Sequence, residues 1–290
     1  MRRRLDGAGR EMLRDLHRHK TLITLFYEPS TRTRLSFEMA ATLLGMHVRA
    51  TENASEFSSA FKGESVEDTI QTISGFRADV IVIRHKENGI VERVADYSKV
   101  PLINGGDGAG QHPTQAATDI FTIYDEKGRI DGLTVVLGGD LKYGRTVRSL
   151  AYLLSKFDGV RIIFVSHEQF RIGDDIKDHL RERNVEFEET DSVETALRAA
   201  DVVYWTRTQK ERMGTELLER SDQIISQFTI GRDQMEWMKA DAVLMHPLPR
   251  IGEITTEVNK DSRAAYFRQA WNGVPVRMTL LDRVLRGHSF

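Results

Sequence analysis

The fold is decided by TLITLFYEPSTRTRLSFEMAATLLGM, residues 21–46, in which an apolar run changes into a helical pattern. The run at 21–27 is short and mostly apolar, which predicts a strand. Apolar residues then recur at helical spacing, at Leu35, Met39, Leu43 and Met46. This spacing predicts a helix over 31–46. A strand that leads directly into a helix is typical of parallel α/β sheets.

The same alternation runs through the rest of the chain. Short Val/Ile-rich runs predict further strands at 79–83, 101–104, 133–137, 160–165, 201–205 and 241–245. Helical patterns lie at 112–128, near 145–157 and at about 274–287. Continuous rather than alternating apolar runs indicate parallel strands that helices cover on both faces. Because 290 residues exceed one core of ordinary size, the sequence predicts an α/β protein with two parallel-sheet α/β domains, joined by interdomain helices.

Composition narrows the classes of partner. Lys and Arg number 41 against 43 Asp and Glu, and the formal net charge of −2 gives no general affinity for nucleic acid. Cysteine is absent, which excludes disulfides, a cysteine nucleophile and a zinc–cysteine site. This fits a reducing compartment, and we expect a cytoplasmic protein. No apolar stretch approaches the roughly 18 residues that cross a bilayer, so we expect no membrane partner. Residues 1–12 are arginine-rich but also acidic, which favours a solvated tail over a leader.

Chemistry-bearing side chains cluster directly after the predicted strands. Ligands of open parallel sheets bind beyond the carboxyl ends of the strands. The residues found there are Ser30, Thr31, Arg32, Thr33 and Arg34, then Arg84 and His85, His112 and Gln115, Lys142 and Arg145, Thr206, Arg207 and Gln209, and 246–250. Cations, imidazoles and hydroxyls dominate this set, and carboxylates are few. The sequence therefore predicts an edge that binds more than one anion.

The segment from Ser30 to Arg34 gives the most specific indication of an anion-binding site. A helix N-terminus offers backbone N–H groups and the positive end of the helix dipole, where phosphate binds readily. Hydroxyls add donors, and an arginine fork can hold two phosphate oxygens. The alternative is that Ser30 is an N-cap and the arginines are solvated. We interpret Arg34 as the partner in a structural salt bridge rather than a substrate contact.

Residues 139–146, GDLKYGRT, differ from a Walker A loop by an arginine at 145 where lysine is required. A nucleotide-binding ATPase is therefore disfavoured, and the glycines are interpreted as a tight strand-to-helix turn.

Two other segments are open to two interpretations, and a third to one. His112 precedes Pro113 at a helix start, where its imidazole could donate to an oxygen that gains charge or serve as a cap. HPLPR at 246–250 fixes backbone carbonyls, either as acceptors for a substrate amide or as a rigid loop. Ser58 and Lys62 lie in a polar stretch and read as surface residues.

Seven motifs together resemble the catalytic chain of the aspartate carbamoyltransferase family. They are STRTR, KGES with Ser58 four residues before Lys62, RH at 84–85, HPTQ, DLKYGRT, TRTQKER and HPLPR. They occur in the family's order and close to its spacing from about residue 20 to the end. The resemblance implies that carbamoyl phosphate and L-aspartate react to give N-carbamoyl-L-aspartate and phosphate, an early step of pyrimidine synthesis. It implies no metal and no organic cofactor.

The resemblance also implies residue roles. The catalytic set would be Arg32, Thr33, Lys62 and His112. Carbamoyl phosphate would be bound by Ser30, Thr31, Arg32, Thr33, Ser58, Lys62, Arg84, His112, Gln115, Pro247 and Leu248. Aspartate would be bound by Lys62, Arg145, Arg207, Gln209 and Leu248. The resemblance further implies a cis peptide bond between Leu248 and Pro249.

The same resemblance implies how the chain divides into domains and how its copies assemble. It implies a carbamoyl phosphate-binding domain over 1–112, completed by the C-terminal helix 274–290, and an aspartate-binding domain over 113–273. Ser58 and Lys62 would reach the active site of a neighbouring subunit, which makes a homotrimer the minimal catalytic unit. Regulatory chains are further candidate partners. The segment before the first strand is shorter than in most of the family, which bears on how it packs against the last helix.

Two alternatives share this pattern. Ornithine carbamoyltransferase typically has a cysteine-bearing H-C-L-P motif, whereas this chain has HPLPR and no cysteine. Two arginines also suit a dicarboxylate better than a diamine. A non-catalytic carbamoyltransferase-like protein would be indicated by loss of Arg32, Lys62, His112 or Arg207, all of which are present.

Overall fold

The computed structural model describes residues 13–51, 54, 63–108, 112–213 and 215–287. The chain divides into two compact units. Unit 1 comprises Met1–Thr114 with Asn272–Phe290, and unit 2 comprises Gln115–Trp271.

Unit 1 contains a four-stranded parallel sheet of order β2-β1-β3-β4. Its strands are β1 (Thr21–Phe26), β2 (His47–Thr51), β3 (Val80–His85) and β4 (Leu102–Asp107). Its helices are α1 (Thr31–Leu43), α2 (Val66–Ser74) and the short α3 (Ile90–Arg93), followed by a 3₁₀ turn at Ala95–Tyr97.

The central strand β3 of unit 1 is buried on both faces, as its continuous apolar run requires. Alternate residues of β3 point to opposite faces: Val80 and Val82 pack with Phe37 of α1, whereas Ile81 and Ile83 pack in a second cluster with helices α2 and α3. Burial on both faces explains why this strand reads as an unbroken Val/Ile run.

Unit 2 contains a five-stranded parallel sheet of order β7-β6-β5-β8-β9. Its strands are β5 (Thr134–Gly138), β6 (Arg161–Val165), β7 (Glu186–Thr190), β8 (Val202–Trp205) and β9 (Val243–Met245). Its helices are α5 (Arg145–Leu154), α6 (Asp174–Glu182), α7 (Val193–Ala199), α8 (Thr215–Gln227) and α9 (Arg232–Trp237), with 3₁₀ turns at Glu168–Phe170, Lys210–Arg212 and Thr256–Lys260.

Two helices continue along the chain from one unit into the other: α4 (Pro113–Lys127) and α10 (Tyr266–Leu285). Across the described ranges, we find no helix with the length and apolar character needed to span a membrane.

The predicted fold class, two parallel-sheet α/β domains, is confirmed. The seven predicted strands are present, but the edge strands β2 and β7 were missed. The helix predicted over 31–46 ends at Leu43. It ends there because Gly45 adopts a φ of +80°, and a Cβ on that residue would lie 1.7 Å from the Arg14 carbonyl oxygen.

The apolar spacing in α1 did not identify the buried face of the helix. Leu35 and Met39 are about half exposed, whereas Phe37, Ala40 and Ala41 are fully buried. The helix exists as predicted, but it packs on the sheet through Phe37 and the small residues Ala40 and Ala41.

Each sheet has one topological switch point, a pair of neighbouring strands from which the chain connections run to opposite sides of the sheet. In unit 1 it lies between β1 and β3, and in unit 2 between β5 and β8. Ligands of open α/β sheets bind at such points, beyond the carboxyl ends of the strands. Functional residues are therefore expected beyond the strand ends at these two switch points.

Candidate active site

The segment after β1 leads into α1 with its donors largely uncommitted. Ser30 occupies the N-cap position, yet its side chain makes no capping hydrogen bond. The first turn of α1 contains no acidic residue, and the first intrahelical bond runs from the Arg34 N–H to the Ser30 carbonyl. The N–H groups of Thr31, Arg32 and Thr33 and the Ser30 hydroxyl are thus donors of the kind that holds an anion. Ser30 is therefore the N-cap by position, but its hydroxyl does not cap the helix.

Within that segment, Arg32 and Arg34 have different surroundings. Desolvation lowers the pKa of the Arg32 guanidinium from its usual value, but an arginine stays cationic at neutral pH. Arg34 instead donates to Glu38, at 3.0 Å between Nη1 and Oε1. The predicted structural salt bridge of Arg34 is confirmed.

Arg84 and His112 meet beside the last strand of unit 1. Arg84 lies next to Phe26 in the β1–β3 register and is buried, with its guanidinium bound to Glu28 at 2.9 Å. Gly106 has a φ of +117°, and a Cβ there would lie 2.8 Å from Arg84 Nη1 and 3.6 Å from His112 Cδ2. Only glycine leaves room for both side chains, so unit 1 brings a guanidinium and an imidazole to one point.

A buried carboxylate organises the β5/β8 switch point of unit 2. Asp140 follows β5 and is fully buried. It accepts the Tyr143 N–H and the Gln209 N–H, each at 3.0 Å. Burial raises the pKa of the Asp140 carboxyl above its usual value, and the two N–H donors and then Arg207 partly offset this. One acid therefore ties the loop before Arg145 to the loop after β8.

The Asp140 contacts also bear on the Walker-like loop. The Tyr143 N–H, which a phosphate-binding loop would direct at its ligand, is bound to a carboxylate instead. The Gln209 side chain braces the same loop by donating to the Tyr143 carbonyl at 2.6 Å. The loop is thus a bonded strand-to-helix turn that presents Arg145 as the first residue of α5.

The turn at residues 246–249 is held by a buried imidazole. His246 Nδ1 accepts the Leu248 N–H at 2.8 Å, and His246 Nε2 lies 2.6 Å from Glu253 Oε1. Leu248 has a φ of +53°, and the bond to Pro249 is cis, which confirms that expectation. Burial raises the pKa of Glu253, but bonds from His246 and the Ile251 N–H outweigh it and leave the pKa below its usual value.

Gln115 lies in the first turns of α4, half-buried, with its amide nitrogen donating to Asp119 Oδ1 at 2.8 Å. Ser58 and Lys62 lie outside the described residues. Among the residues that are described, no group of three or more His, Asp or Glu side chains is placed to hold a metal ion.

Sequence reasoning missed the acids that hold these side chains in place: Glu28, Asp119, Asp140 and Glu253. Asp140 could have been found, because it comes directly after a predicted strand. Asp119 gave no such signal, since an acid in a polar helix start usually faces solvent.

Each switch point carries two arginines, one from each flanking strand. Arg32 follows β1 and Arg84 is the last residue but one of β3, while Arg145 follows β5 and Arg207 follows β8. Paired arginines at both sheets define an α/β protein of the class that binds two anionic ligands.

Comparison with known proteins identifies the family within this class. The carbamoyl-P binding domain of aspartate/ornithine carbamoyltransferase matches residues 3–125, and the Asp/Orn binding domain of the same family matches residues 131–284. The chain belongs to the aspartate/ornithine carbamoyltransferase family.

Individual relatives agree with this membership. The chloroplastic aspartate carbamoyltransferase of Arabidopsis thaliana is 53% identical over 266 residues, 92% of this chain and 68% of that protein. The aspartate carbamoyltransferase catalytic subunit of Methanocaldococcus jannaschii is 46% identical over 270 residues, 93% of this chain and 86% of that protein.

Solved structures are similar over the same extent. The catalytic subunit of M. jannaschii aspartate transcarbamoylase gives a TM-score of 0.90 at 42% identity, covering 99% of this chain and 92% of the other. Aspartate transcarbamoylase from Trypanosoma cruzi, in complex with N-(phosphonacetyl)-L-aspartic acid, gives 0.87 at 37% identity, covering 92% and 84%.

Proposed function

We propose that this chain transfers the carbamoyl group of carbamoyl phosphate to the amino group of L-aspartate, giving N-carbamoyl-L-aspartate and phosphate. The observation that carries the proposal is the arginine pair of each sheet, Arg32 with Arg84 and Arg145 with Arg207. Two pairs fit two anionic substrates, a phosphate and a dicarboxylate. Family membership and the names of the relatives support the same reaction.

Phosphate binding is assigned to the β1/β3 switch point. The Ser30 hydroxyl and the first N–H groups of α1 donate to phosphate oxygens, and Arg32 adds its charge. Arg84, fixed by Glu28, and the neighbouring His112 extend the donor set towards the carbamoyl group.

Aspartate binding is assigned to the β5/β8 switch point. Arg145 and Arg207 hold the two carboxylates, and Asp140 with Gln209 fixes the loops from which they project. A planar guanidinium binds a carboxylate through two parallel N–H bonds, so each arginine can orient one end of the substrate.

The chemistry requires donors rather than a protein nucleophile. The aspartate nitrogen attacks the carbonyl carbon, and as the new C–N bond forms an electron pair moves onto the carbonyl oxygen. Arg32, Thr33 and His112 stabilise that oxyanion. The C–O bond to phosphate then breaks, and the electron pair leaves with phosphate, which also takes the amine proton. Holding both substrates in place supplies a large part of the rate.

Ornithine is the nearest alternative acceptor, because the matching domain is described for Asp/Orn binding. The side chain of ornithine ends in an ammonium group. Arg145 and Arg207 would repel that charge in place of binding a carboxylate, which favours aspartate.

A direct assay tests the function. The purified chain is incubated with carbamoyl phosphate and either aspartate or ornithine, and the carbamoylated amino acid is quantified by mass spectrometry. We expect product with aspartate and at least 100-fold less with ornithine, as a charge mismatch predicts. Product with ornithine alone would reassign the acceptor, and no product with either would contradict the proposal. N-(phosphonacetyl)-L-aspartic acid should inhibit competitively against carbamoyl phosphate.

We also propose a homotrimer in the cytoplasm, with Ser58 and Lys62 serving a neighbouring subunit. Support comes from the KGES resemblance and from the half-exposed Leu35 and Met39, apolar side chains that a second copy could cover. Light scattering measures the mass. Mixing the inactive Lys62→Ala and Arg207→Ala chains should restore part of the activity, and mixed trimers that stay inactive would contradict the shared site. Cell fractionation tests the location, given that the plant relatives are named chloroplastic.

A further inference from the structure

A fully buried carboxylate in unit 2, Asp119, is the centre of a hydrogen-bond chain that the reaction above does not use. It accepts the amide nitrogen of Gln115 at 2.8 Å, that of Gln269 at 2.7 Å and the Tyr204 hydroxyl at 2.9 Å. Burial, and then the Asp119 charge, raise the pKa of Tyr204 well above its usual value, so this hydroxyl keeps its proton.

The carboxylate decides which way both amides face. An ionised carboxylate only accepts hydrogen bonds, so the NH₂ end of each amide must turn towards it. The oxygen of Gln115 therefore faces away from Asp119 as an acceptor. A flipped Gln115 would place two oxygens against each other in a buried site, which is strongly disfavoured.

Gln269 carries this orientation to the turn at 246–249. Its nitrogen donates to Asp119 and its oxygen accepts the His246 N–H at 2.8 Å. His246 accepts the Leu248 N–H at Nδ1, so its proton lies on Nε2 and is donated to Glu253. Four hydrogen bonds thus connect Gln115 to Leu248 with every donor and acceptor assigned.

The turn is left with acceptors only. The N–H groups of His246 and Leu248 are bonded internally, and Pro247 and Pro249 have none. In the part of the chain that the structure describes, no backbone N–H of a turn, loop or cap bonds to the carbonyl oxygens of Pro247 or Leu248. Gln115 and the turn therefore present oxygens at both ends of one bonded network.

We propose that Asp119, Gln269, His246 and Glu253 are positioning residues that keep the Gln115 oxygen and the turn carbonyls as acceptors, and that they thereby select an acyl phosphate bearing an NH₂ group. This inference rests on the proposed carbamoyl transfer. A carbamoyl group supplies two N–H donors to these oxygens. A methyl in the same place leaves them desolvated without a partner, which sites of this kind reject strongly.

The test compares carbamoyl phosphate with acetyl phosphate as acyl donors to saturating aspartate, measured as kcat/KM for each. We expect the wild-type chain to prefer carbamoyl phosphate by at least 100-fold. In Asp119→Asn, the new amide can donate to the Gln115 oxygen and allow the flip. The preference should fall at least tenfold through loss of carbamoyl phosphate activity, while KM for aspartate changes less than threefold.

Tyr204→Phe is the matched control. It removes one hydrogen bond from the same carboxylate but leaves the chain from Gln115 to Leu248 intact, so the preference should stay within twofold. If Asp119→Asn does not fold, Gln269→Met breaks the chain at its middle and is judged by the same ratio.

Three results would overturn the inference: a wild-type preference below tenfold, an unchanged preference in the folded variants, or an equal loss with both acyl donors. A wild-type chain that makes no N-carbamoyl-aspartate would instead contradict the proposed function, so the two failures are distinguishable.

Discussion

The β1/β3 and β5/β8 switch points both carry two arginines but treat their backbone donors in opposite ways. At β1/β3, the Ser30 hydroxyl makes no cap and the first turn of α1 has no acid. At β5/β8, Asp140 already accepts two loop N–H groups. The first arrangement leaves backbone donors for a ligand, and the second uses them to hold the protein.

This difference matches the shape of the two anions. A phosphate is a compact acceptor that a ring of N–H and hydroxyl donors can surround. A dicarboxylate has two separate charges, which two arginines can hold at a fixed distance if their loops are rigid. Asp140 supplies that rigidity, at the cost of burying a carboxylate.

Replacing Arg32 by alanine has the largest expected effect and tests whether the β1/β3 switch point binds the phosphate. In the proposed mechanism the guanidinium serves both the phosphate and the oxyanion, and losing one such donor costs about 10²–10³ in kcat. Steady-state kinetics with both substrates measures this. Arg49→Ala removes an exposed arginine of β2 and should leave kcat unchanged. A near-normal kcat in Arg32→Ala would contradict the assignment.

Asp140→Asn tests the other switch point. An amide can accept only one of the two N–H groups, and its own NH₂ opposes the second. Losing one buried hydrogen bond to a charged group costs about 1.5–3 kcal/mol. We therefore expect KM for aspartate to rise by about 10- to 100-fold, with KM for carbamoyl phosphate little changed. The exposed Asp233→Asn is the control. Equal changes in both KM values would indicate general damage.

Ser30→Ala distinguishes a ligand donor from a helix cap. Because the hydroxyl makes no capping bond, its loss should leave the free energy of unfolding nearly unchanged. KM for carbamoyl phosphate should rise by about tenfold, the effect of one hydrogen bond to a charged group. Ser192 accepts the Thr195 N–H, so Ser192→Ala should show the reverse: a loss of about 1 kcal/mol in stability with unchanged KM. Urea unfolding and kinetics on both variants settle the assignment, and a Ser30 variant that only loses stability would refute it.

The sequence predicted the central strands because both of their faces are buried, which produces unbroken apolar runs such as 79–83. The edge strands β2 and β7 contain only exposed and partly buried residues, and residues such as those of Glu186–Thr190 are mostly charged. They are strands only because they pair with β1 and β6. The local sequence of an edge strand does not show which strand it will pair with.

The residues of the candidate site also fall into two groups, one that the sequence shows and one that it does not. The residues that we propose to bind the ligands mostly follow strands, and the sequence shows them one by one. Residues that hold them act through contacts distant along the chain: Asp119 meets Gln269 150 positions later, and Glu28 meets Arg84. Such pairs depend on the folded arrangement, and one sequence does not show which residues the fold brings together.

Arg34→Ala gives the smallest expected effect and sharpens the contrast with Arg32, two residues away. Arg34 bonds to Glu38 one helical turn later, and Glu38 also accepts the Thr24 hydroxyl at 3.2 Å. A partly exposed pair of this type contributes about 0.3–1 kcal/mol. We expect a loss of that size in urea unfolding and KM values within twofold of wild type. A double-mutant cycle with Glu38→Ala should return a coupling of about 0.5 kcal/mol. A large fall in kcat would instead place Arg34 with the substrate, and the N-terminus of α1 would then hold its anion with two arginines rather than one.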